Sequence, residues 1–313
     1  MPNVGEVLVK IKTSGVNPSD VKIRAGARGE LQFPRVIPHS DGGGEIVGVG
    51  EGVDRNRIGE RVWIWNGAFG RADGTCAELI SLPEFQAVKI NNEVSYESAA
   101  CMGIPASTAY YGLLANGPIK NKTVLISGGA GAVGFYGIQI AKLSGANVIT
   151  TISNDEKAEI ANNAGADKII NYKKENVLKE IMEYTENDGV DRIFEVEFGG
   201  NLPINEKIIK PNGVIAAYGS MAEMEPKLPF YNLMFKGVKI DTFLIYSIIV
   251  SSLAAPVEFS PLMTILFFPS LSITLLAWKL FPKNWKVFNL IPLRINDTLL
   301  LCFTFNIVAE ILI

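Results

Sequence analysis

The chain has 313 residues, a formal net charge of −3 and 48% hydrophobic residues, which suits about two globular domains with sizeable cores. This overall charge gives no electrostatic footprint for nucleic acid. The three cysteines, Cys76, Cys101 and Cys302, lie far apart and match no disulfide or metal-binding spacing. We therefore expect a reduced, cytoplasmic protein.

Residues 1–93 show short strand patterns separated by glycine-rich corners. Val7, Val9 and Ile11 alternate with polar residues, and later strand patterns read GERVWIW and GTCAELISLP. Between these strands, VNPSDVKIRAG predicts a turn and a short helix. Many short strands before any long helix predict an all-β domain, which we place at residues 1–95.

Residues 123–153 predict a strand, a glycine turn, a helix and a second strand. Gly129, Gly131 and Gly134 fit GxGxxG directly after a strand and at the start of a helix, which is the context that makes this motif informative. Backbone N–H groups in such a turn and the helix N-terminus favour a pyrophosphate. The predicted dinucleotide-binding residues are Gly129, Ala130, Gly131, Ala132, Val133 and Gly134.

Strand and helix patterns continue to alternate up to residue 246. The six predicted strands begin near Thr123, Asn147, Lys168, Asp191, Val214 and Val238. A regular β–α alternation predicts a parallel, doubly wound sheet with helices on both faces. With its linking helix, this second domain is predicted at residues 96–246.

The sequence changes character at about Ser247. Between Thr242 and Trp278 the only charged residue is Glu258, and residues 247–313 form an atypical hydrophobic tail. The length of residues 261–278 permits a membrane span, whereas the prolines that interrupt the tail and the ordinary sheet before it argue against one. Membrane association through residues 261–313 is therefore kept as an alternative and is not the expectation.

Several stretches together resemble one known family. The chain is similar to the zinc-independent quinone oxidoreductase (zeta-crystallin-like) branch of the medium-chain dehydrogenase/reductase superfamily, in family order from about Gly5 to Tyr246. The resemblance implies an α/β protein: a Rossmann domain with a six-stranded parallel sheet plus an N-terminal GroES-like β-barrel domain. It also implies an NADP(H) site and a homodimer. The matching stretches are GVNPSDVKIRAG, FPRVIPHSDGGGEIVGVG, GERVWIW, CMGIPASTAYYGL, GGAGAVG, AGADKIINY and GVIAAYGS.

The resemblance stops at both ends of the chain. Family members carry an extra strand pair before the point that corresponds to Met1, so we expect the first domain to be truncated at its start. Nothing from Ser247 onward matches the helices and strands that complete that domain in the family. We expect residues 247–313 to come from an alternative or mis-assigned terminal exon.

Zinc alcohol dehydrogenases share this architecture, but their ligands do not match here. Zinc requires three or four Cys, His or carboxylate ligands. Where those enzymes place a cysteine, this chain reads SGVNPSD, and Ser40 stands at the position of their histidine. His39, the only histidine, is one position away. We predict no zinc site and interpret Cys76 as a small buried residue.

The end of the second Rossmann strand points to NADPH. NAD enzymes place an acid there for the ribose hydroxyls, whereas this strand ends in Ile152-Ser153. The resemblance assigns Ser153, Lys157 and Tyr172 to the adenosine phosphate. Asp155 and Glu156 are expected in the first helical turn, where acids complement the helix dipole.

At the nicotinamide end the candidate residues are Asn17, Lys22, Thr108 and Gly219. Asn17 can hydrogen-bond a carbonyl oxygen, and Gly219 follows the fifth strand, where a cofactor approaches the backbone. The resemblance places Thr108 behind the nicotinamide ring and Lys22 where many members have a tyrosine. The sequence shows no nucleophile arrangement, which suits chemistry carried by the cofactor.

These observations predict hydride transfer from NADPH to a quinone or related conjugated carbonyl. An enone or alkenal double-bond reductase is the nearest alternative. A weakly active NADPH-binding protein is another, and the resemblance adds RNA as an alternative partner because some family members bind it.

Overall fold

A computed structural model describes residues 1–27 and 29–248 of the chain. The described residues form two compact units, 1–100 and 101–248. The sequence patterns had placed this boundary at 95/96. Residues 249–313, which make up nearly all of the predicted hydrophobic tail, lie outside the described residues.

The first unit is built on a five-stranded antiparallel sheet. Its strands are β1 (Glu6–Gly15), β2 (Asp41–Val49), β3 (Arg61–Ile64), β4 (Leu79–Pro83) and β5 (Ala87–Lys89). They lie in the order β4-β1-β2-β3-β5, with every neighbouring pair antiparallel. The alternation in β1 directs Val7 and Val9 into a core that includes Ile46, Ile80 and Leu82.

Two short α-helices flank this sheet. Helix α1 (Pro18–Arg24) begins at a proline, which is well tolerated at the first helical position because no helical N–H is lost there. Helix α2 (Tyr96–Ala99) lies close to the end of the unit. Single 3₁₀ turns occur at Arg55–Arg57 and Glu84–Gln86.

The strand predicted from GTCAELISLP is only half formed. Residues before β4 pair with another loop instead: the N–H groups of Gly74, Thr75 and Cys76 donate to carbonyl oxygens of residues 37–39, at 2.9, 2.9 and 3.1 Å. This pairing leaves Cys76 exposed, so its interpretation as a buried residue is wrong.

The second unit contains the predicted six-stranded parallel sheet. Its strands are β6 (Thr123–Ile126), β7 (Asn147–Ile152), β8 (Lys168–Asn171), β9 (Val190–Glu195), β10 (Ile209–Ala217) and β11 (Lys239–Thr242). They lie in the order β11-β10-β9-β6-β7-β8, and all pairs are parallel. The chain therefore winds in opposite directions from the centre of the sheet, between β6 and β9, as in a Rossmann fold. The predicted fold is confirmed.

Helices connect these strands. A π-helical turn at Met102–Ala106 precedes α3 (Ser107–Leu114). The remaining helices are α4 (Ala132–Leu143), α5 (Asp155–Asn163), α6 (Val177–Tyr184), α7 (Phe198–Ile208) and α8 (Phe230–Lys236). Across residues 1–27 and 29–248, no helix has both the length and the apolar character needed to cross a bilayer.

Strand β10 begins earlier than predicted. The sequence predicts a helix through Lys210, a turn at residues 211–213 and a strand from Val214. In the structure α7 ends at Ile208, and Ile209 already pairs with Val190 of β9. The pairing with β9 is interrupted after Ile209 and resumes at Val214. Within the interruption, Asn212 has a left-handed backbone with a φ of 60°. The predicted turn is thus a break inside one strand.

Candidate cofactor and substrate sites

The glycine turn between β6 and α4 is seated on the end of β7. The N–H of Gly128 donates to Thr151 Oγ1 and the N–H of Gly129 to the Thr151 carbonyl oxygen, both at 3.1 Å. A Cβ on Gly129 would lie 2.1 Å from Thr150 Oγ1, far inside van der Waals contact. Only glycine therefore allows the turn to approach this strand so closely.

Gly134 and Gly131 have different surroundings. A Cβ on Gly134 would lie 2.3 Å from the Gly128 carbonyl oxygen, so this glycine lets helix α4 pack onto the turn. A Cβ on Gly131 would meet that same oxygen only at 3.4 Å, an ordinary contact, and Gly131 is exposed. This glycine leaves open space in front of the turn.

That open space lies at the N-terminus of α4. The first hydrogen bond of the helix runs from the Phe135 N–H to the Gly131 carbonyl oxygen at 2.8 Å. The N–H groups of Ala132, Val133 and Gly134 precede it, so the helix itself supplies them no acceptor. Together with the helix dipole, this arrangement fits a pyrophosphate.

Strands β7 and β8 bring two of the predicted adenosine-end residues together. Ile152 pairs with Asn171, and the N–H of Tyr172 donates to the Ile152 carbonyl oxygen at 3.0 Å. Ser153 and Tyr172 therefore leave the sheet side by side, next to the glycine turn. The Tyr172 side chain is 52% exposed and available to a ligand.

Lys157 lies in the first turn of α5, with its side chain exposed. Its N–H donates to Asn154 Oδ1 at 2.9 Å, so Asn154 caps the helix and fixes where the lysine emerges. Asp155 is also in the first turn, as predicted, and Lys174 Nζ contacts its carboxylate at 2.9 and 3.0 Å. Lys173 is exposed, directly follows Tyr172 and is a further cation at this site. The sequence reasoning missed it, although the adjacent lysines at 173 and 174 could have indicated it.

A buried carboxylate lies at the point where the sheet reverses direction. Glu195 ends β9 and is 0% exposed. Its Oε2 accepts from Ser127 Oγ at 2.9 Å and Asn205 Nδ2 at 2.8 Å, and its Oε1 accepts from the Glu197 N–H at 2.8 Å and Asn201 Nδ2 at 3.0 Å. Because Ser127 directly precedes the glycine turn, Glu195 ties the turn to β9 and α7. The sequence reasoning missed this residue.

The loop after β10 is tied to the same region. Burial alone would raise the pKa of Glu197, but the N–H groups of Met221 and Ala222 donate to its carboxylate and bring the pKa below its ordinary value. A Cβ on Gly219 would lie 2.4 Å from the Val196 carbonyl oxygen. Packing alone therefore requires glycine at position 219, independently of its predicted role at the cofactor. Thr108, another predicted residue, is buried in α3.

The first unit contains a connected polar cluster, which we define as Ser14, Asn17, His39, Asp41 and Thr75. Asn17 Nδ2 donates to Asp41 Oδ2 at 2.8 Å, and Thr75 Oγ1 donates to the Asp41 carbonyl oxygen at 2.5 Å. Ser14 Oγ lies 2.9 Å from both Thr75 Oγ1 and His39 Nδ1. Asn17 and Asp41 are buried, whereas His39 is half-buried.

Helix α1 follows directly from this cluster. Asp20 Oδ2 accepts from the N–H of Asn17 at 2.7 Å and thereby fixes the backbone at the start of the helix. Lys22, the fourth predicted substrate-end residue, lies on α1 and is half-buried.

The donor set in this cluster does not suit zinc. It supplies one imidazole, from His39, and one carboxylate, from Asp41, which is fewer than the three protein ligands of a catalytic zinc ion. In the part of the chain that the structure describes, no group of three or more His, Cys, Asp or Glu side chains could hold a metal ion.

Comparison with known proteins agrees with this architecture. Residues 3–92 match the family model for the alcohol dehydrogenase GroES-like domain, and residues 132–263 match the model for zinc-binding dehydrogenases. The quinone oxidoreductase of Homo sapiens is 28% identical over 226 residues, which cover 72% of this chain and 68% of that protein. A zinc-type alcohol dehydrogenase-like protein of Schizosaccharomyces pombe is 33% identical over 243 residues, covering 70% of this chain and 69% of the relative.

Solved structures give the same result. A mycobacterial protein in complex with NADPH superposes with a TM-score of 0.67 at 28% identity, over 79% of this chain and 76% of that one. An NAD-dependent alcohol dehydrogenase superposes with a TM-score of 0.73 at 27% identity, over 81% of each chain.

The fold, the glycine turn and these relatives together define an oxidoreductase that uses a nicotinamide cofactor and acts on a small molecule. The chain belongs to the medium-chain dehydrogenase/reductase superfamily and is quinone oxidoreductase-like. The family resemblance predicted from sequence is confirmed.

Proposed function

We propose that the protein is an NADPH-dependent, zinc-independent reductase that transfers hydride to a quinone or related conjugated carbonyl. The observation that carries the proposal is the edge of the sheet beside the glycine turn. There Ser153 directly follows β7, and a tyrosine and two exposed lysines, Lys157 and Lys173, lie on the segments that follow β7 and β8. An acid at the strand end would repel a 2′-phosphate, and cations attract it. The quinone acceptor is supported by the name of the human relative.

In this proposal the second unit holds the cofactor. Residues 129–134 bind the pyrophosphate, and Ser153, Lys157 and Tyr172 bind the adenosine phosphate. Lys173 adds a second cation there. Thr108 and Gly219 lie at the nicotinamide end. The bound cofactor supplies the hydride, and the protein supplies position and electrostatics.

The proposal assigns Asn17 and Lys22, both in the first unit, to the acceptor. A side-chain amide carries two N–H donors, and Asn17 uses one of them on Asp41. The second can orient a carbonyl oxygen and stabilise the charge that develops on it during reduction.

The cofactor assignment is tested by Lys157→Ala. We expect NADPH to bind about tenfold more weakly, since losing one charge-assisted contact costs about 1.4 kcal/mol, while NADH affinity is unchanged. Dissociation constants from fluorescence titration give the affinity ratio. Lys179→Ala removes a lysine that is 66% exposed on α6 and should change neither constant. An unchanged NADPH/NADH ratio in Lys157→Ala would mean that the assignment is wrong.

The acceptor is tested by turnover with a quinone panel and an alkenal panel. We expect NADPH oxidation with quinones. Turnover of alkenals alone would replace the proposed acceptor with a conjugated double bond. Tight NADPH binding without turnover of either panel would make the chain a cofactor-binding module and overturn the proposal.

A further inference from the structure

The polar cluster of the first unit fixes where His39 carries its proton. Thr75 Oγ1 has one hydrogen, and it lies 2.5 Å from the Asp41 carbonyl oxygen and 3.3 Å from the His39 carbonyl oxygen. A carbonyl oxygen can only accept, so this contact takes the threonine hydrogen. The 2.9 Å contact between Thr75 Oγ1 and Ser14 Oγ must then be donated by Ser14.

Counting the hydroxyl hydrogens in the same way assigns the donor of the next contact. Ser14 has no second hydrogen, so the 2.9 Å contact between Ser14 Oγ and His39 Nδ1 must be donated by the imidazole. The alternative, in which Ser14 donates to Nδ1, leaves two hydroxyl oxygens 2.9 Å apart with no hydrogen between them. Only one assignment places a hydrogen in each of the three short contacts. His39 donates to Ser14, Ser14 donates to Thr75, and Thr75 donates to the carbonyl oxygen of Asp41. Hydrogen bonds aligned head to tail in this way strengthen one another.

This assignment leaves Nε2 as the atom of His39 that exchanges its proton. Among residues 1–27 and 29–248, Nε2 has no hydrogen-bond partner, and the ring is half-buried. Here the charged ring holds protons on both nitrogens, and the neutral ring keeps only the one on Nδ1.

We propose that His39 is the proton donor of the reaction and gives its Nε2 proton to the acceptor oxygen. The inference rests on the proposed function, because the same polar cluster includes Asn17, which that proposal places at the acceptor. Reduction of a quinone by a dihydronicotinamide adds one hydride and one proton. The hydride carries both electrons, the Nε2 proton completes the hydroquinone, and solvent reprotonates the neutral imidazole. The dihydronicotinamide leaves in its oxidised form.

The backbone shows that His39 holds an unusual position. Its φ is 77°, in the left-handed region that favours glycine. A histidine kept in this conformation costs stability. The charged or titratable groups nearest to it on the two paired loops are Arg35, Asp41, Arg71, Asp73 and Cys76. The β1–α1 segment that carries Ser14 adds Lys12, Asp20, Lys22 and Arg24.

The hydrogen assignment is tested without cofactor. His39 is the only histidine in the chain, so ¹⁵N-histidine labelling gives the NMR signals of this single imidazole. When the ring is neutral, we expect the proton on Nδ1 in the full-length protein. Ser14→Ala should shift the population toward the Nε2–H form. A neutral ring protonated on Nε2 in the unsubstituted chain would overturn the assignment and the proposal.

The donor role is tested by His39→Gly, which suits the backbone conformation and should fold. With a quinone and NADPH, we expect kcat to fall about 100-fold. In the unsubstituted enzyme kcat should fall as pH rises, because the donor must carry its proton. The variant should lose this dependence, and added imidazole should restore turnover. A merely structural role would not give that rescue.

The matched control is Asn121→Gly. Asn121 also has a left-handed backbone, with φ of 60°, and lies in the second unit. This variant should keep the kcat and the pH profile of the unsubstituted enzyme. Unchanged kcat and pH profile in His39→Gly would overturn the donor role. If the unsubstituted chain turns over no quinone at any pH, the proposed function fails and the donor role with it, while the NMR result still decides the proton position.

Discussion

Glu195 shows how a single residue can hold a cofactor-binding turn in place. Its two carboxylate oxygens accept four hydrogen bonds, all from neutral donors, and none of the side chain is exposed. A glutamine has almost the same shape, but its NH₂ group would face two donors. We therefore expect Glu195→Gln to lower the free energy of unfolding by about 3 kcal/mol, since hydrogen bonds to charged groups contribute about 1.5–3 kcal/mol each.

Urea unfolding of the full-length protein measures this change. NADPH affinity should fall as well, because Ser127 joins Glu195 to the glycine turn. The control is Glu183→Gln, which alters an ion pair with Lys179 whose partners are 66% and 62% exposed. Exposed pairs contribute little, so a much smaller effect is expected there. Equal effects of the two substitutions would contradict the role given to Glu195.

At the scale of elements, the turn between β6 and α4 contains glycines that are needed for two different reasons, packing and ligand space. Gly129 is required by packing against β7, whereas Gly131 faces open space. We expect Gly129→Ala to lower the free energy of unfolding by about 3 kcal/mol through overpacking. Gly131→Ala should cost about 1 kcal/mol or less, as a loss of N-cap preference, yet strongly weaken NADPH binding because its methyl group enters the open space.

Unfolding curves and cofactor titrations of both variants check this separation. The Gly131→Ala protein should remain folded and bind NADPH at least tenfold more weakly. Normal NADPH binding by this variant would mean that the pyrophosphate lies elsewhere.

Elements were predictable where local pattern decides them. The predicted start of β6, β7 and β8 agrees with the structure, because β-branched runs followed by glycine or helix caps determine these boundaries. Strand β10 differed, because its first residue pairs with β9 across a break that local sequence does not reveal. Residues 74–76 do not form the predicted strand for a similar reason, because their hydrogen-bond partners lie in a loop that is distant in sequence.

The same limit applies to the site. The glycine turn could be predicted, since its motif is local. The contacts of Glu195 and His39 could not, because each depends on residues from two or three separate segments. A lone histidine one position from a family ligand looked unimportant in sequence, and its left-handed backbone and its serine partner appear only in the structure.

At the scale of the whole molecule, composition bears on the metal question. The full chain has one histidine and three cysteines, and Cys76 and Cys101 are exposed on the two different units. A catalytic zinc ion takes three protein ligands, usually from His, Cys and carboxylates. We therefore expect the purified protein to contain substoichiometric zinc and to keep its quinone turnover after dialysis against a chelator.

Elemental analysis together with turnover before and after chelation tests this expectation. A zinc-dependent alcohol dehydrogenase treated in parallel should lose both metal and activity, which shows that the chelation is effective. Added zinc should not raise turnover, because the cluster around Asn17 offers only one imidazole and one carboxylate where a catalytic zinc ion needs three protein ligands. One zinc per chain, lost together with activity and restored with it, would show that ligands other than those in the polar cluster hold a catalytic metal. The hydride acceptor would then be polarised by zinc, and Asn17 would not be needed for that task.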